Sequence, residues 1–183
     1  MKISMSILIV LAVLVTASCQ TKPTTQRTQV VSSDQWSAHI PPSIVRVEKS
    51  EEEWKKELNE LEYYVIRKKG TERSFTGKEL LNNKKDGLYT CRACSLPLFG
   101  SDTKFKSGTG WPSYYAPLKA EFIKEDTDYN IGYARTEVMC AQCDGHLGHV
   151  FPDGPEPTGL RYCINAVSLD FVEVKPAAVK SDE

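Results

Sequence analysis

The chain has 183 residues, 40% of them hydrophobic and 26% charged, with Lys+Arg 23 against Asp+Glu 24 and a formal net charge of -1. That is the make-up of one folded soluble domain with appendages. So even a balance excludes the strongly basic surface that nucleic-acid binding requires, and no nucleic acid is expected as a partner.

Residues 1–19, MKISMSILIVLAVLVTASC, hold one lysine and an unbroken apolar run from Ile7 to Val15. The run is shorter than the roughly 20 residues of a membrane-spanning helix and has the flanks of a secretory signal. Cys19, after Thr-Ala-Ser, resembles the lipobox of bacterial lipoproteins, although Thr16 stands where Leu or Val is usual. The alternative is an ordinary cleaved signal with a chance cysteine. The expectation is an exported protein of the periplasm or cell envelope, anchored to a membrane by lipid on Cys19. By the same analogy, Gln20 rather than Asp after the cysteine leans toward an outer membrane. Residues 20–45 are rich in Thr, Ser, Gln and Pro and read as a flexible tether. Trp36 within them is either docked or solvated, and His39 has no expected role.

The domain proper is expected over residues 46–176, with residues 177–183 as a disordered tail. Ser50 and Glu53 fit a capping box, and Trp54, Leu58 and Leu61 recur at helical spacing behind it. Tyr63–Ile66 reads as extended or as a helix end, Gly70 stops that segment, and a second short helix covers Gly77–Leu81. From Gly87 onward the segments are short and separated by Gly, Pro, Asn and Asp. GLYTC, LPLF, NIGYARTEV, LGHVF and RYCINAVSLDFVEV read as strands. The fold class is mainly β, with a few helices on the N-terminal side.

Of the six cysteines, four form two CxxC pairs, Cys91 with Cys94 and Cys140 with Cys143. Two such knuckles supply four sulfurs, the donor set of a closed, tetrahedral, structural Zn²⁺ site. The 45 residues between Cys94 and Cys140 exceed the gap of a compact zinc ribbon, so the metal would tie distant parts of the chain together. Three alternatives stand beside this one. The pairs could be disulfides in an exported chain, or a redox dithiol. Cys140, Cys143, His146 and His149 could also bind a metal by themselves. The four-sulfur reading explains both pairs at once.

Cys163 has no cysteine near it in sequence. If RYCINA is a strand, Arg161, Cys163 and Asn165 share one face and Tyr162, Ile164 and Ala166 the other. A lone cysteine is more often a small buried hydrophobe, but a cation and an amide on its face favour a reactive thiolate. His146 and His149 lie on one glycine-rich loop and are candidate proton donors; the bland alternative is one packed and one exposed histidine. Trp111, in SGTGWPSYY, is either a pocket wall or packing over the sheet.

These motifs, taken in order, resemble the B-type methionine sulfoxide reductases, enzymes acting on the R epimer of methionine sulfoxide. The resemblance runs from about Ser50 to Val174. It rests on SEEEWKKEL, GTERSFTG, GLYTCRACSLPLF, TKFKSGTGWPSYY, VMCAQCDGHLGHVF and RYCINAVSLDF. It implies a β-tent of two antiparallel sheets stapled by zinc on Cys91, Cys94, Cys140 and Cys143. It implies Cys163 as nucleophile, Trp111 against the substrate methyl, and His146, His149, Arg161 and Asn165 lining the site. The implied substrate is methionine sulfoxide in oxidised proteins, and the implied product on the enzyme is a sulfenic acid. Many relatives carry a resolving cysteine about where this chain has Thr109. Its absence implies direct reduction by a thioredoxin-like or other external thiol. Rival readings are a non-catalytic zinc-stabilised binding module, a nucleic-acid-binding zinc ribbon and a thiol peroxidase.

Overall fold

The computed structural model describes residues 34–175. The export signal at 1–19 with Cys19, residues 20–33 of the expected tether and the 177–183 tail lie outside the described residues. Among the described residues no helix is long and apolar enough to cross a membrane.

Helix α1 spans Glu51–Glu57 and α2 spans Glu60–Lys68, each opened by a complete capping box, Ser50 with Glu53 and Asn59 with Glu62. The second box restarts the helix and breaks the expected single stripe. Trp54 and Leu58 are buried, whereas Leu61 is exposed. Tyr63–Ile66 is therefore helical, and Val65 and Ile66 are buried in the core. The helix ends at Lys69, which takes the left-handed cap conformation, with Gly70 N–H donating to Tyr64 O. The short α3, Lys78–Asn82, follows Gly77.

Among the described residues nine strands follow: β1 Gly87–Cys91, β2 Pro97–Gly100, β3 Lys104–Phe105, β4 Ser113–Tyr114, β5 Ile123–Asp128, β6 Arg135–Cys140, β7 His146–Phe151, β8 Arg161–Ile164 and β9 Leu169–Glu173. They form two antiparallel sheets, one ordered β2-β1-β9 and the other β3-β4-β8-β7-β6-β5. Strand β5, IKEDTD, carries almost no apolar signal because it is an edge strand exposed along most of its length, where charged side chains keep the open edge from pairing with another chain. Within NIGYARTEV only residues 135–138 are strand; the rest is the β5–β6 turn.

The two sheets meet through an aromatic layer. Phe99 of the smaller sheet stacks on Tyr114 of the larger at 4.4 Å, and Tyr89 meets Tyr114 edge-on at 5.1 Å. Such pairs each add about 0.5–1.5 kcal/mol beyond their area burial. Leu98, Val138, Leu147 and Ile164 complete the core. The part of the expected tether that is described is docked rather than free. A 3₁₀ turn at Asp34–His39 buries Trp36 against Leu88 and Leu118, and the indole Nε1–H donates to Asp102 Oδ1 at 2.8 Å.

Candidate active site and metal centre

The two CxxC knuckles fold alike. In each, the first cysteine ends a strand, and its N–H donates to the carbonyl five residues on, Cys91 to Leu96 and Cys140 to Gly145. Its carbonyl accepts from a residue in the left-handed conformation four residues on, Ser95 and Asp144. Gly145 leaves the room that Ile66 of α2 occupies; a Cβ there would lie 2.8 Å from the Ile66 side chain. The four sulfurs lie within 4.8 Å of one another, with Cys91–Cys143 at 3.7 Å and Cys94–Cys140 at 3.5 Å. A disulfide needs about 2.05 Å, so the sulfurs are not so paired. A tetrahedral ion bonded to sulfur at about 2.3 Å places its ligands about 3.8 Å apart. The cluster can hold a metal ion, and because Cys91 belongs to one sheet and Cys140 to the other, that ion would join the sheets. The thiol of Cys143 is pulled down by those of Cys140, Cys91 and Cys94 around it. His146 and His149 are turned to other partners.

The sulfur of Cys163 stands in a row of side chains that crosses the larger sheet. Ser113, Cys163, His149, Glu137 and Asp126 are successive register partners on β4, β8, β7, β6 and β5, and direct partners in an antiparallel pair share a face. Gly148 allows β7 to approach β8 at this point, because a Cβ on it would fall 2.1 Å from the Cys163 carbonyl oxygen. Cys163 is half-buried. A hydroxyl chain reaches it: Ser113 Oγ to Ser107 Oγ at 2.8 Å, Ser107 Oγ to Thr109 Oγ1 at 2.9 Å, and Thr109 Oγ1 to Cys163 Sγ at 3.8 Å. Burial pushes the thiol up, while Thr109, the Arg161 guanidinium and Ser113 pull it back; burial prevails and the thiol sits above its ordinary value. The cation expected to favour a thiolate does pull the thiol down, but burial outweighs it. One reason is that Arg161 is shared. Its Nε and Nη2 donate to Asp153 at 2.9 Å each, and it stacks on Phe151 at 4.5 Å.

Both histidines are buried, each bonded to a carboxylate. His149 Nε2 lies 2.7 Å from Asp128 Oδ2, and His146 Nδ1 lies 2.7 Å from Glu137 Oε1. Burial works against the charge on Asp128, but the Asn130 N–H, His149 and Arg135 outweigh it and hold the carboxyl down at about 2. Asp128 is thus an acceptor, His149 Nε2 carries the proton it donates, and Nδ1 is the open nitrogen of the neutral ring. His149 stays below its ordinary value, chiefly through burial, with Asp128 opposing. Glu137 is likewise held down by His146 and Lys69 against its burial. The His146 Nε2 is buried with no partner. The rings of His146 and His149 meet edge-on with centroids 5.4 Å apart.

Asn165 does not join Cys163 on one strand face. The strand ends at Ile164 and a 3₁₀ turn at Ala166–Ser168 breaks the alternation. Asn165 is buried, donates through Nδ2 to Leu147 O at 3.0 Å and accepts the Glu72 N–H at 3.1 Å. Trp111 is half-exposed, and its Nε1–H donates to Glu72 O at 3.3 Å. Asp128, Glu137 and Glu72 have no local motif that marks them, because strand register and long-range contacts bring them there; Ser107 and Ser113 lie inside SGTGWPSYY, where only Trp111 carries a sequence signal.

Comparisons with known proteins agree on one family. The SelR domain matches residues 58–173. The peptide methionine sulfoxide reductase MsrB of Pseudomonas putida is 59% identical over 126 residues, covering 69% of this chain and 94% of that protein. The MsrB of Methanosarcina barkeri is 60% identical over 127 residues, 68% of this chain and 87% of that protein. That of Leptospira interrogans is 55% identical over 125 residues, 68% of this chain and 95% of that protein.

Proposed function

The chain belongs to the SelR-domain family of B-type methionine sulfoxide reductases, and from that premise we propose that it reduces methionine R-sulfoxide in oxidised proteins to methionine. The observation that carries this reading is the half-buried Cys163 flanked in register by Ser113 and His149. In the proposed reaction Cys163 Sγ bonds to the sulfoxide sulfur; the protonated oxygen then passes from that sulfur to Sγ, its old S–O bond and the temporary S–S bond both breaking, and the thioether keeps its electron pair. The products are methionine and a Cys163 sulfenic acid. An oxygen of this kind leaves only if it gains a proton or a strong hydrogen bond. The thiol brings that proton into the site. His149 Nδ1 takes it as Sγ attacks and passes it to the oxygen, while Asp128 steadies the imidazolium formed in between. Arg161 and the Thr109 hydroxyl stabilise charge on sulfur, and Trp111 supplies an apolar wall for the substrate methyl. Asn165 orders the backbone that follows the nucleophile.

The sulfenic acid is then reduced by an external thiol. The first thiol forms a mixed disulfide with Cys163 and releases water. A second thiol, which a thioredoxin-like dithiol carries itself, returns Cys163 and leaves as the oxidised donor. Thr109, at the position where many relatives have a resolving cysteine, supports this direct route.

The two sheets correspond in this reading to the family's β-tent, stapled by structural Zn²⁺ on Cys91, Cys94, Cys140 and Cys143; the all-sulfur donor set supports zinc. When bound, the ion supplies cohesion and no step of the reaction. We also propose export to the periplasm or cell envelope with a lipid anchor on Cys19, on the strength of the N-terminal sequence. Turnover of separated R and S sulfoxides with dithiothreitol tests the activity: consumption of the R epimer alone is expected, and consumption of neither overturns the reading.

A further inference from the structure

Glu72 is 4% exposed and lies on no helix or strand. Four hydrogen bonds leave it in two directions. Its carboxylate accepts the N–H of Ala166 through Oε1 and the N–H of Val167 through Oε2, the latter at 3.3 Å. Its own N–H donates to Asn165 Oδ1 at 3.1 Å, and its carbonyl accepts the Trp111 Nε1–H at 3.3 Å. One residue thus grips the chain three and four positions beyond Cys163 with its carboxylate, while its backbone meets Asn165 and holds the indole.

The rest of the segment repeats the pattern. Phe75 N–H donates to Gly110 O at 2.8 Å, next to Trp111. Phe75 does so in the left-handed region at φ 64°, which is strained for a bulky side chain. Gly77 comes so close to the other loop that a Cβ on it would lie 2.2 Å from Ala166 Cβ. Residues 72–77 are a brace between the loop carrying Trp111 and the turn that follows Cys163. A buried carboxylate is costly to keep; burial pushes Glu72 up, and the two backbone N–H groups act against that.

We propose that Glu72 is a positioning residue for sulfoxide reduction, fixing the Trp111 indole relative to Cys163 by holding both loops at once. The inference rests on Trp111 forming the substrate wall. The test compares Glu72→Gln, Trp111→Phe and the double variant in the full chain, using methionine R-sulfoxide and dithiothreitol. In Glu72→Gln one acceptor oxygen becomes an NH₂ group facing a backbone N–H. The expected result is a rise in KM of about tenfold with kcat changed by less than about threefold, the signature of lost substrate binding rather than lost chemistry. Because Glu72 acts through the indole, adding Glu72→Gln to Trp111→Phe should raise KM by less than about threefold more. Unchanged KM in a folded Glu72→Gln variant overturns the proposal. So do fully multiplicative effects in the double variant, and so does a loss of rate that only tracks the folded fraction. If the Gln variant does not fold, Glu72→Asp, which keeps the charge but retracts it by one methylene, carries the same comparison. A wild-type protein that fails to turn over the R-sulfoxide sinks the proposed activity, whereas an active wild type with an unaffected variant sinks only the role of Glu72.

Discussion

Cys163 on β8 and His149 on β7 are register partners, and His149 is in turn held by Asp128 at 2.7 Å. Replacing Asp128→Asn removes the charge that favours the imidazolium. The pKa of His149, already lowered by burial, should fall further. The acid limb of the kcat profile should therefore move to lower pH, and kcat should drop about 10²-fold, the scale of lost acid–base assistance. Asp128 also links stability to pH. Its folded-state pKa of about 2 lies below the ordinary 3.8, so its contribution is present above that ordinary value and is lost as pH falls through the folded one. The Tm difference between wild type and variant should shrink over that window.

The thiol of Cys163 is raised by burial and lowered by Thr109, Arg161 and Ser113, with burial prevailing over an ordinary value of 9.0. Alkylation of Cys163 by iodoacetamide, followed by mass spectrometry of its peptide, should still accelerate as pH passes that value. Arg161→Met should shift the curve upward and so slow alkylation at each pH below its plateau. A plateau already reached below neutrality would show a resting thiolate instead.

Thr109 Oγ1 is 3.8 Å from Cys163 Sγ, close enough for a cysteine at that position to capture a sulfenic acid. In Thr109→Cys, substrate added without reductant should leave an intramolecular disulfide to Cys163. The wild type should retain a single added oxygen.

The four-sulfur cluster joins the two sheets. Cys94→Ser, or a strong chelator, should release one metal ion per chain and lower Tm by more than about 10 °C, since metal binding free energy at such sites is folding free energy. A metal-free wild type with unchanged Tm would contradict this.

Much of the fold could be read from sequence wherever the signal was local. The Ser50 capping box, β1 at GLYTC and both CxxC knuckles appear where the residues place them. Leu61 misled because Asn59 with Glu62 opens a second helix, and a capping box interrupts periodicity without interrupting the apolar count. Strand alternation places Asn165 beside Cys163, but the strand stops at Ile164 and the chain turns into a 3₁₀ helix at Ala166. The carboxylates behind the histidines were hidden for a different reason. Asp128 and Glu137 lie 21 and 12 residues from His149 in sequence, and only the β5-β6-β7 register brings them beside it. Glu72 meets its partners across 93 to 95 residues, a relationship no window of sequence contains.

In the proposed reaction Cys163 takes the oxygen of a methionine R-sulfoxide. The most direct measurement is mass spectrometry of the Cys163 peptide after one exposure to R-sulfoxide without reductant, in wild type and in Cys163→Ser. One added oxygen on Cys163 and one equivalent of methionine are expected in the wild type, and neither in the serine variant. Methionine released by Cys163→Ser, or an unmodified Cys163 after wild-type turnover, would contradict it.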